Sequence, residues 1–247
     1  LFKQIDMNLN NTKINSQLIE IKKKRNSFFV KGKFSNEKKN FDVQELKPIF
    51  EDLLNDVAIQ KIEFSSKNNF SFIINKKLEF NSFKLKSTVD LNQLTFKSKH
   101  LKLKPYFPSF NEEIKLTEHE IVINYTKDKF DIRGDGNILL ENKLDSLSYK
   151  IIKNKNGISF DSKINLNNNS LFVDFLDYEK KEKHDSLFLL KGNFKKNDRL
   201  RFDLISLKEK NSRILIKGLD LNKNFKIMNI ESFNINYINN EKILNNL

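Results

Sequence analysis

His119-Glu120 is the one pair in the chain with the residue types of a zinc hydrolase motif, and the spacing fails. That chemistry needs a second His four residues on, along one helical face; Ile123 stands there instead, inside an alternating pattern. His100 and His184 have no partner at ligand spacing, and no Cys exists to supply a thiolate, a nucleophile or a disulfide. Gly134-Asp135-Gly136 opens like a dinucleotide fingerprint, but Leu139 occupies the third glycine position and the segment reads as strand, not as a strand-to-helix turn. No Gly-x-Ser-x-Gly elbow is present. Asp128 and Asp131 are the nearest approach to an acid/base pair, and on an alternating strand their expected role is solvation. The residues therefore supply no catalytic group, no metal site and no cofactor site, and the expectation is a protein that is not an enzyme.

The elements that would have held such groups are strands. Apolar residues recur at every second position almost from end to end, as in Phe28/Val30, Phe70/Phe72/Ile74, Ile121/Ile123/Tyr125, Ile158/Phe160, Ile164/Leu166, Phe188/Leu190, Phe202/Leu204 and Ile214/Ile216. The residues between them are mostly Lys, Asn, Asp, Ser and Glu, the pattern of strands with one buried and one wet face. Turn formers such as 155–157 (Lys-Asn-Gly), 167–169 (Asn-Asn-Asn) and 222–224 (Asn-Lys-Asn) punctuate the runs. One segment differs: apolar residues at 46, 49, 50, 53, 54 and 57 form a helical stripe, with Pro48 in its first turn. The pattern predicts an all-β chain with one short amphipathic helix at about 44–57 and no domain boundary between 1 and 247.

Charge does not single out a partner. The 247 residues hold 45 Lys+Arg against 32 Asp+Glu, a net charge of +13, but the skew toward Lys, Asn, Ile and Phe is what an A/T-rich genome supplies through its codons. Residues 1–120 carry +7 and residues 121–247 carry +6, so no basic arm or tail concentrates it. Runs such as Lys22-Lys23-Lys24-Arg25 and Lys180-Lys181-Glu182-Lys183 are expected in solvated turns. Stacking of bases needs aromatic and basic groups on one face, whereas here Phe alternates inward and Lys outward, which argues against nucleic acid. No run approaches the ~18 apolar residues of a membrane span, and no signal-peptide core is present. The chain opens at Leu1 without an initiator Met, so an internal piece of a longer protein is expected.

A phrase recurs at the ends of alternating runs: Val30-Lys31-Gly32, Ile132-Arg133-Gly134, Leu190-Lys191-Gly192 and Ile216-Lys217-Gly218. A glycine at an inward strand position lets a sheet bend or bulge, so Gly32, Gly134, Gly192 and Gly218 are read as sheet-bending positions. Some fifteen strands with one apolar face outrun what a single short helix covers. The face must close on itself, pack on a second sheet, or remain an open groove filled by something apolar.

Several of these segments resemble the β-repeat region of AsmA-like envelope proteins of the YhdP/TamB type: Gly134-x-Gly136 before a strand, "DSLSYKI" at 145–151, "DFLDYEKKE" at 174–182, "IKGLDL" at 216–221, and "FDVQELKPIF" at 41–50 leading into the helix. The resemblance implies an elongated, twisted antiparallel meander curled into an open groove or half-barrel that shields phospholipid acyl chains between the inner and outer membranes. It implies a periplasmic location in a Gram-negative bacterium, an N-terminal inner-membrane anchor that this chain does not contain, and possible envelope protein partners. The residues expected to line the groove are Phe70, Phe72, Ile74, Ile158, Phe160, Ile164, Leu166, Phe188, Leu190, Phe202 and Leu204. A closed, structural or adhesive β-domain that binds protein partners through its edges is the alternative, and it selects the same side chains.

Overall fold

The computed structural model describes residues 1–9, 12–44, 57–98, 103–195 and 199–247. Alternation yields strands over most of that length: β1 (Phe2–Leu9), β2 (Thr12–Lys24), β3 (Ser27–Asn40), β4 (Val57–Asn75), β5 (Phe80–Ser98), β6 (Ile114–Thr126), β7 (Lys129–Leu139), β8 (Leu144–Asn154) and β9 (Gly157–Asn165). After them come β10 (Leu171–Val173), β11 (Tyr178–Lys180), β12 (Ser186–Lys195), β13 (Arg199–Glu209), β14 (Ser212–Leu221), β15 (Ile227–Asn229), β16 (Ser232–Ile238) and β17 (Leu244–Asn246). Fifteen of these form one antiparallel meander in the order β1 to β9, β12, β13, β14, β16, β17, with β15 paired to β14; β10 and β11 form a separate hairpin. The path ends on β1 at one edge and β17 at the other, so the sheet is not closed into a barrel.

Short turns keep neighbours in register. Two-residue loops join β2 to β3, β6 to β7, β8 to β9 and β13 to β14. Because every connection in a meander reverses the chain, alternate turns fall on opposite rims of the sheet. One rim carries the turns β2–β3, β4–β5, β6–β7, β8–β9, β12–β13 and β14–β15; the other carries β3–β4, β5–β6, β7–β8, β9–β12, β13–β14 and β16–β17.

Of the helix expected at 44–57, Val43 and Gln44 are helical, and Asp42 Oδ1 accepts the Gln44 N–H at 2.9 Å in the manner of an N-cap. Val57 opens β4 instead of ending a helix. Residues 45–56, and His100 with its neighbours 99–102, lie outside the described residues.

Part of the inner face is closed. The segment 103–113 and the β10–β11 hairpin lie over the second rim, joined by the Phe172 N–H donating to Tyr106 O at 2.9 Å. Phe107, Phe110, Leu171 and Tyr178 from these covers pack with Ile114, Ile138, Leu140, Leu166, Leu207, Ile235 and Tyr237. Burial of each large side chain there contributes roughly 1.5–3 kcal/mol. The Tyr178 and Tyr237 rings meet edge to face at 5.3 Å, and Tyr237 Oη donates to Leu176 O at 2.6 Å.

Candidate functional site

Following directly paired residues from strand to strand traces rows across the sheet, and two adjacent rows differ in chemistry at most positions. The inner row is Phe2, Ile19, Gly32, Phe70, Leu85, Tyr125, Phe130, Lys153, Ile158, Phe194, Leu200, Leu221 and Ile227, from β1 through β9, β12 to β14 and β15. One residue along each strand, on the other face, the row is Lys3, Leu18, Lys33, Asn69, Lys86, Asn124, Asp131, Ile152, Ser159, Asn193, Arg201, Asp220 and Asn229. Gly32 and Lys153 alone interrupt the first; Leu18 and Ile152 alone interrupt the second. At about 4.8 Å per strand the apolar row runs for nearly 60 Å.

Rings reinforce it. Phe34, Phe70, Phe72, Phe83, Tyr125 and Phe130 form a chain of neighbours with centroids 5.8 to 6.5 Å apart, crossing β3 to β7. Phe160 and Phe202 make a further edge-to-face pair at 5.8 Å.

The residues expected to line a groove divide into three groups. Phe70, Phe72, Ile74, Ile158, Phe160, Leu190 and Phe202 share the inner face, are half-buried, and lie outside the closed core. Ile164, Leu166 and Phe188 share that face but pack into the core beneath the two covering segments. Leu204 lies on the opposite face, paired with Lys191 and Lys217. Its displacement has a local cause: Gly192 pairs with Phe202 and Lys191 with Leu204, so Asp203 is an extra residue in β13 and reverses the alternation beyond it. Ile205 and Leu207 take the inner positions that unbroken alternation assigns to Leu204 and Ser206.

The apolar face is also less continuous than its pattern indicates. Further from the first rim, the inner face of β2 to β5 carries the buried polar side chains Ser16, Ser66, Asn68 and Ser87. Asn68 Nδ2 donates to Ser66 Oγ at 2.7 Å, Ser66 Oγ to Asn36 Oδ1 at 2.5 Å, and Ser16 Oγ to Lys33 O at 2.7 Å. In that half of the sheet the exposed apolar surface is therefore concentrated toward the first rim.

Each of three inward glycines faces an aromatic residue directly across the ladder: Gly32 opposite Phe70, Gly134 opposite Tyr149, Gly192 opposite Phe160. A Cβ on any of them would come within 2.5 to 2.8 Å of that ring. The glycine lets the neighbouring ring lie flat over the strand, a pairing that offsets the missing side chain. Gly32 and Gly134 stand in unbroken register, while the register shifts beside Gly192. Gly218 adopts φ +61, with the Glu231 carboxyl 2.2 Å from where a Cβ would stand.

Several buried titratable groups are tied into structure. His119 is fully buried beside Gly136, its Nε2–H donating to Asn137 O at 2.9 Å, and burial pushes its pKa down. Lys180, expected in a solvated run, is fully buried, and its ammonium donates to Asn167 O at 3.1 Å and Asn169 O at 2.6 Å. Asp145 holds the same loop by accepting the N–H groups of Asn167 and Asn168 at 2.9 and 2.8 Å. Glu209 accepts Tyr178 Oη at 2.6 Å and His184 Nδ1–H at 2.8 Å, anchoring β11 to β13. The sequence carries no signal for the burial of Lys180, Asp145 and Glu209, because it depends on how the 166–185 segment folds back on the sheet. Among the described residues no group of three or more His, Asp or Glu is placed to hold a metal ion.

The two rims differ in charge. Among the described residues the first rim carries Lys22, Lys23, Lys24, Arg25, Lys76, Lys77, Lys127, Lys129, Lys155, Lys195, Arg199, Lys223 and Lys226, against the acids Glu79 and Asp128, with Lys22, Lys129 and Arg199 paired to Glu20, Asp131 and Asp220 just inside the rim. At the second, the described turn residues Asp42, Glu112, Glu113, Glu141, Asp174, Asp177, Glu179, Glu182, Asp185 and Glu241 stand against Lys104, Lys143, Lys180, Lys181, Lys183, Lys210 and Lys242, and the adjoining strand ends bring Asp145 and Glu209 with Lys13, Lys39, Lys97, Lys115, Lys208 and Arg213, so that this rim is close to neutral. Compared with known proteins, the chain matches no family model, no curated protein and no solved structure.

Proposed function

We propose that this chain is a non-enzymatic, lipid-shielding segment of an AsmA-like envelope protein, holding phospholipid acyl chains along the inner face of its sheet. The carrying observation is the pair of adjacent rows: one apolar at eleven of its thirteen strands and largely uncovered, the next polar at eleven of the same thirteen. Acyl tails would lie against Phe70, Phe72, Ile158, Phe160 and Phe202, with head groups in water beyond the rim. Hydrophobic contact has no preferred direction along such a row, so a tail can slide without breaking a specific bond. The reading has no catalytic step. It places the full-length protein in the periplasm of a Gram-negative bacterium, anchored in the inner membrane by a segment outside this chain, with other envelope proteins as partners and no nucleic acid.

One observation favours the alternative of a closed structural or adhesive domain: Ile164, Leu166 and Phe188 are already sealed beneath the covering segments. A photoreactive amino acid introduced at position 70 or 202, and as controls at the outward positions 69 and 204, separates the two. Mass spectrometry after irradiation in cells is expected to find phospholipid crosslinked at 70 and 202 and little at 69 and 204. Equal, background labelling at all four in a folded protein would remove the lipid reading and leave the closed domain.

A further inference from the structure

Three turns of this protein have the same five-residue form. In 75–79 (Asn-Lys-Lys-Leu-Glu), 222–226 (Asn-Lys-Asn-Phe-Lys) and 239–243 (Asn-Asn-Glu-Lys-Ile) the leading Asn N–H donates to the carbonyl of the fifth residue, and the fourth residue's N–H returns to the Asn carbonyl. The Asn side-chain oxygen accepts the fifth residue's N–H in all three. The form forces the fourth residue into the left-handed region, at φ 60 for Leu78, 58 for Phe225 and 65 for Lys242. Bulky side chains are disfavoured there, and Asn or Gly would fit with less strain.

What fills the strained position depends on the rim. At the second rim it is Lys242; at the basic rim it is Leu78 and Phe225, which are 76% and 64% exposed. An apolar residue held at a turn tip, in an unfavourable backbone conformation and in water, gains nothing within the fold. Lys76 and Lys77 flank the first tip, Lys223 and Lys226 the second, and eight strand spacings, roughly 38 Å along the sheet, separate them. Phe80, at 69% exposed, and the half-exposed Phe28 and Phe194 lie along the same rim between basic turns.

We infer that the basic rim is a peripheral membrane-docking edge, with Leu78 and Phe225 entering the interface of an anionic bilayer and the surrounding Lys residues meeting its head groups. Charge complementarity selects this occupant: the basic rim is drawn to an anionic surface, whereas the rim on the opposite side of the sheet, close to neutral, is not. The inference goes beyond lipid shielding and rests on the rim and its turns, not on the inner face. In combination the two give a path, since the exposed part of the apolar face reaches the same rim.

The test is flotation of the 247-residue chain with phosphatidylcholine vesicles, with and without ~30% phosphatidylglycerol, across a salt series. Binding is expected to be at least tenfold tighter with the anionic lipid and to weaken as salt rises. Lys76→Glu with Lys77→Glu is expected to reduce it about tenfold, and Leu78→Ser with Phe225→Ser several-fold, with folding of each variant checked by circular dichroism. Lys33→Glu with Lys86→Glu, the same charge change on the outer face away from the rim, is expected to have a much smaller effect. Equal losses from the rim and outer-face pairs, or no loss from the serine pair, would overturn the docking edge. So would binding to single-stranded nucleic acid that vesicles fail to displace. Crosslinking of lipid at position 70 without vesicle binding would remove this inference and leave the shielding reading standing.

Discussion

Asp220 is only 1% exposed, and Arg199 makes two hydrogen bonds to it, Nε to Oδ1 at 3.1 Å and Nη2 to Oδ2 at 2.5 Å. Arg201 adds a third through Nη1 at 3.1 Å and extends the network to Asp203 and Glu231. The Arg199 hydrogen bond foremost, with help from Arg201, holds the Asp220 carboxyl below its ordinary value of 3.8. A carboxyl depressed in the folded state stabilises the fold above its unfolded pKa, and that contribution is lost as pH falls through the folded value. Glu20, hydrogen-bonded to Lys22 and Lys31 and held at about 2, adds to the same acid limb from the surface. Urea midpoints are therefore expected to fall steeply below about pH 4. Asp220→Asn is expected to lower stability by about 1–2 kcal/mol at pH 7 and to flatten that decline, because the group that titrates is gone. A decline as steep in the variant as in the parent would assign the acid sensitivity elsewhere. The pairing was not legible in the sequence: Arg199 and Asp220 are 21 residues apart, on strands joined through the β13–β14 turn.

At the scale of the element, β13 carries the largest departure from simple alternation. The extra residue at Asp203 turns Leu204 outward and Ile205 inward, opposite Leu190 and Ile216. Alternation identified the strand and its apolar residues but not the bulge, because one inserted residue leaves both halves alternating. Gly192, facing the bulge, was the local trace, and it marks a position where a Cβ would meet Arg201 O at 2.3 Å. Ile205→Lys is expected to destabilise by about 2–4 kcal/mol, having put a charge on the inner face, while Leu204→Lys beside Lys191 and Lys217 is expected to cost less than about 1 kcal/mol. Chemical denaturation measures both, and the reverse ranking would mean that β13 pairs without a bulge. The β10–β11 hairpin was read in sequence as part of one long alternating series. Its three-residue strands pair only with each other, which frees them to fold over the core.

For the whole molecule, the open ends of the sheet fix the expected shape. A compact globule of 247 residues has a radius of gyration of about 18 Å, whereas a meander whose fourteen successive strands never close extends roughly 60 Å across its rungs. Solution scattering is expected to give a radius well above 18 Å. A value at or below it would mean that the two edges fold onto each other and that the apolar row is internal. The same openness leaves two exposed edge strands, and β1 with Lys3 and β2 with Lys13 and Lys22 carry charge beside one of them, a usual guard against edge-to-edge pairing.

Alternation by itself determined the strands, the antiparallel meander and the identity of most inward side chains, since a period of two is a local property that each segment displays alone. Most of the inner residues between Phe70 and Phe202 were legible for that reason. Only the tertiary structure decided which of them are sealed and which are open, because the covers come from 103–113 and from the β10–β11 hairpin. Charge shows the same limit. Along the chain it is even, +7 and +6 in the two halves, yet in space a basic excess gathers on one rim. The physical reason is the reversal of the chain at every turn, which sends alternate turns to opposite sides, so that residues far apart in sequence gather along one edge and close neighbours are parted by the length of a strand.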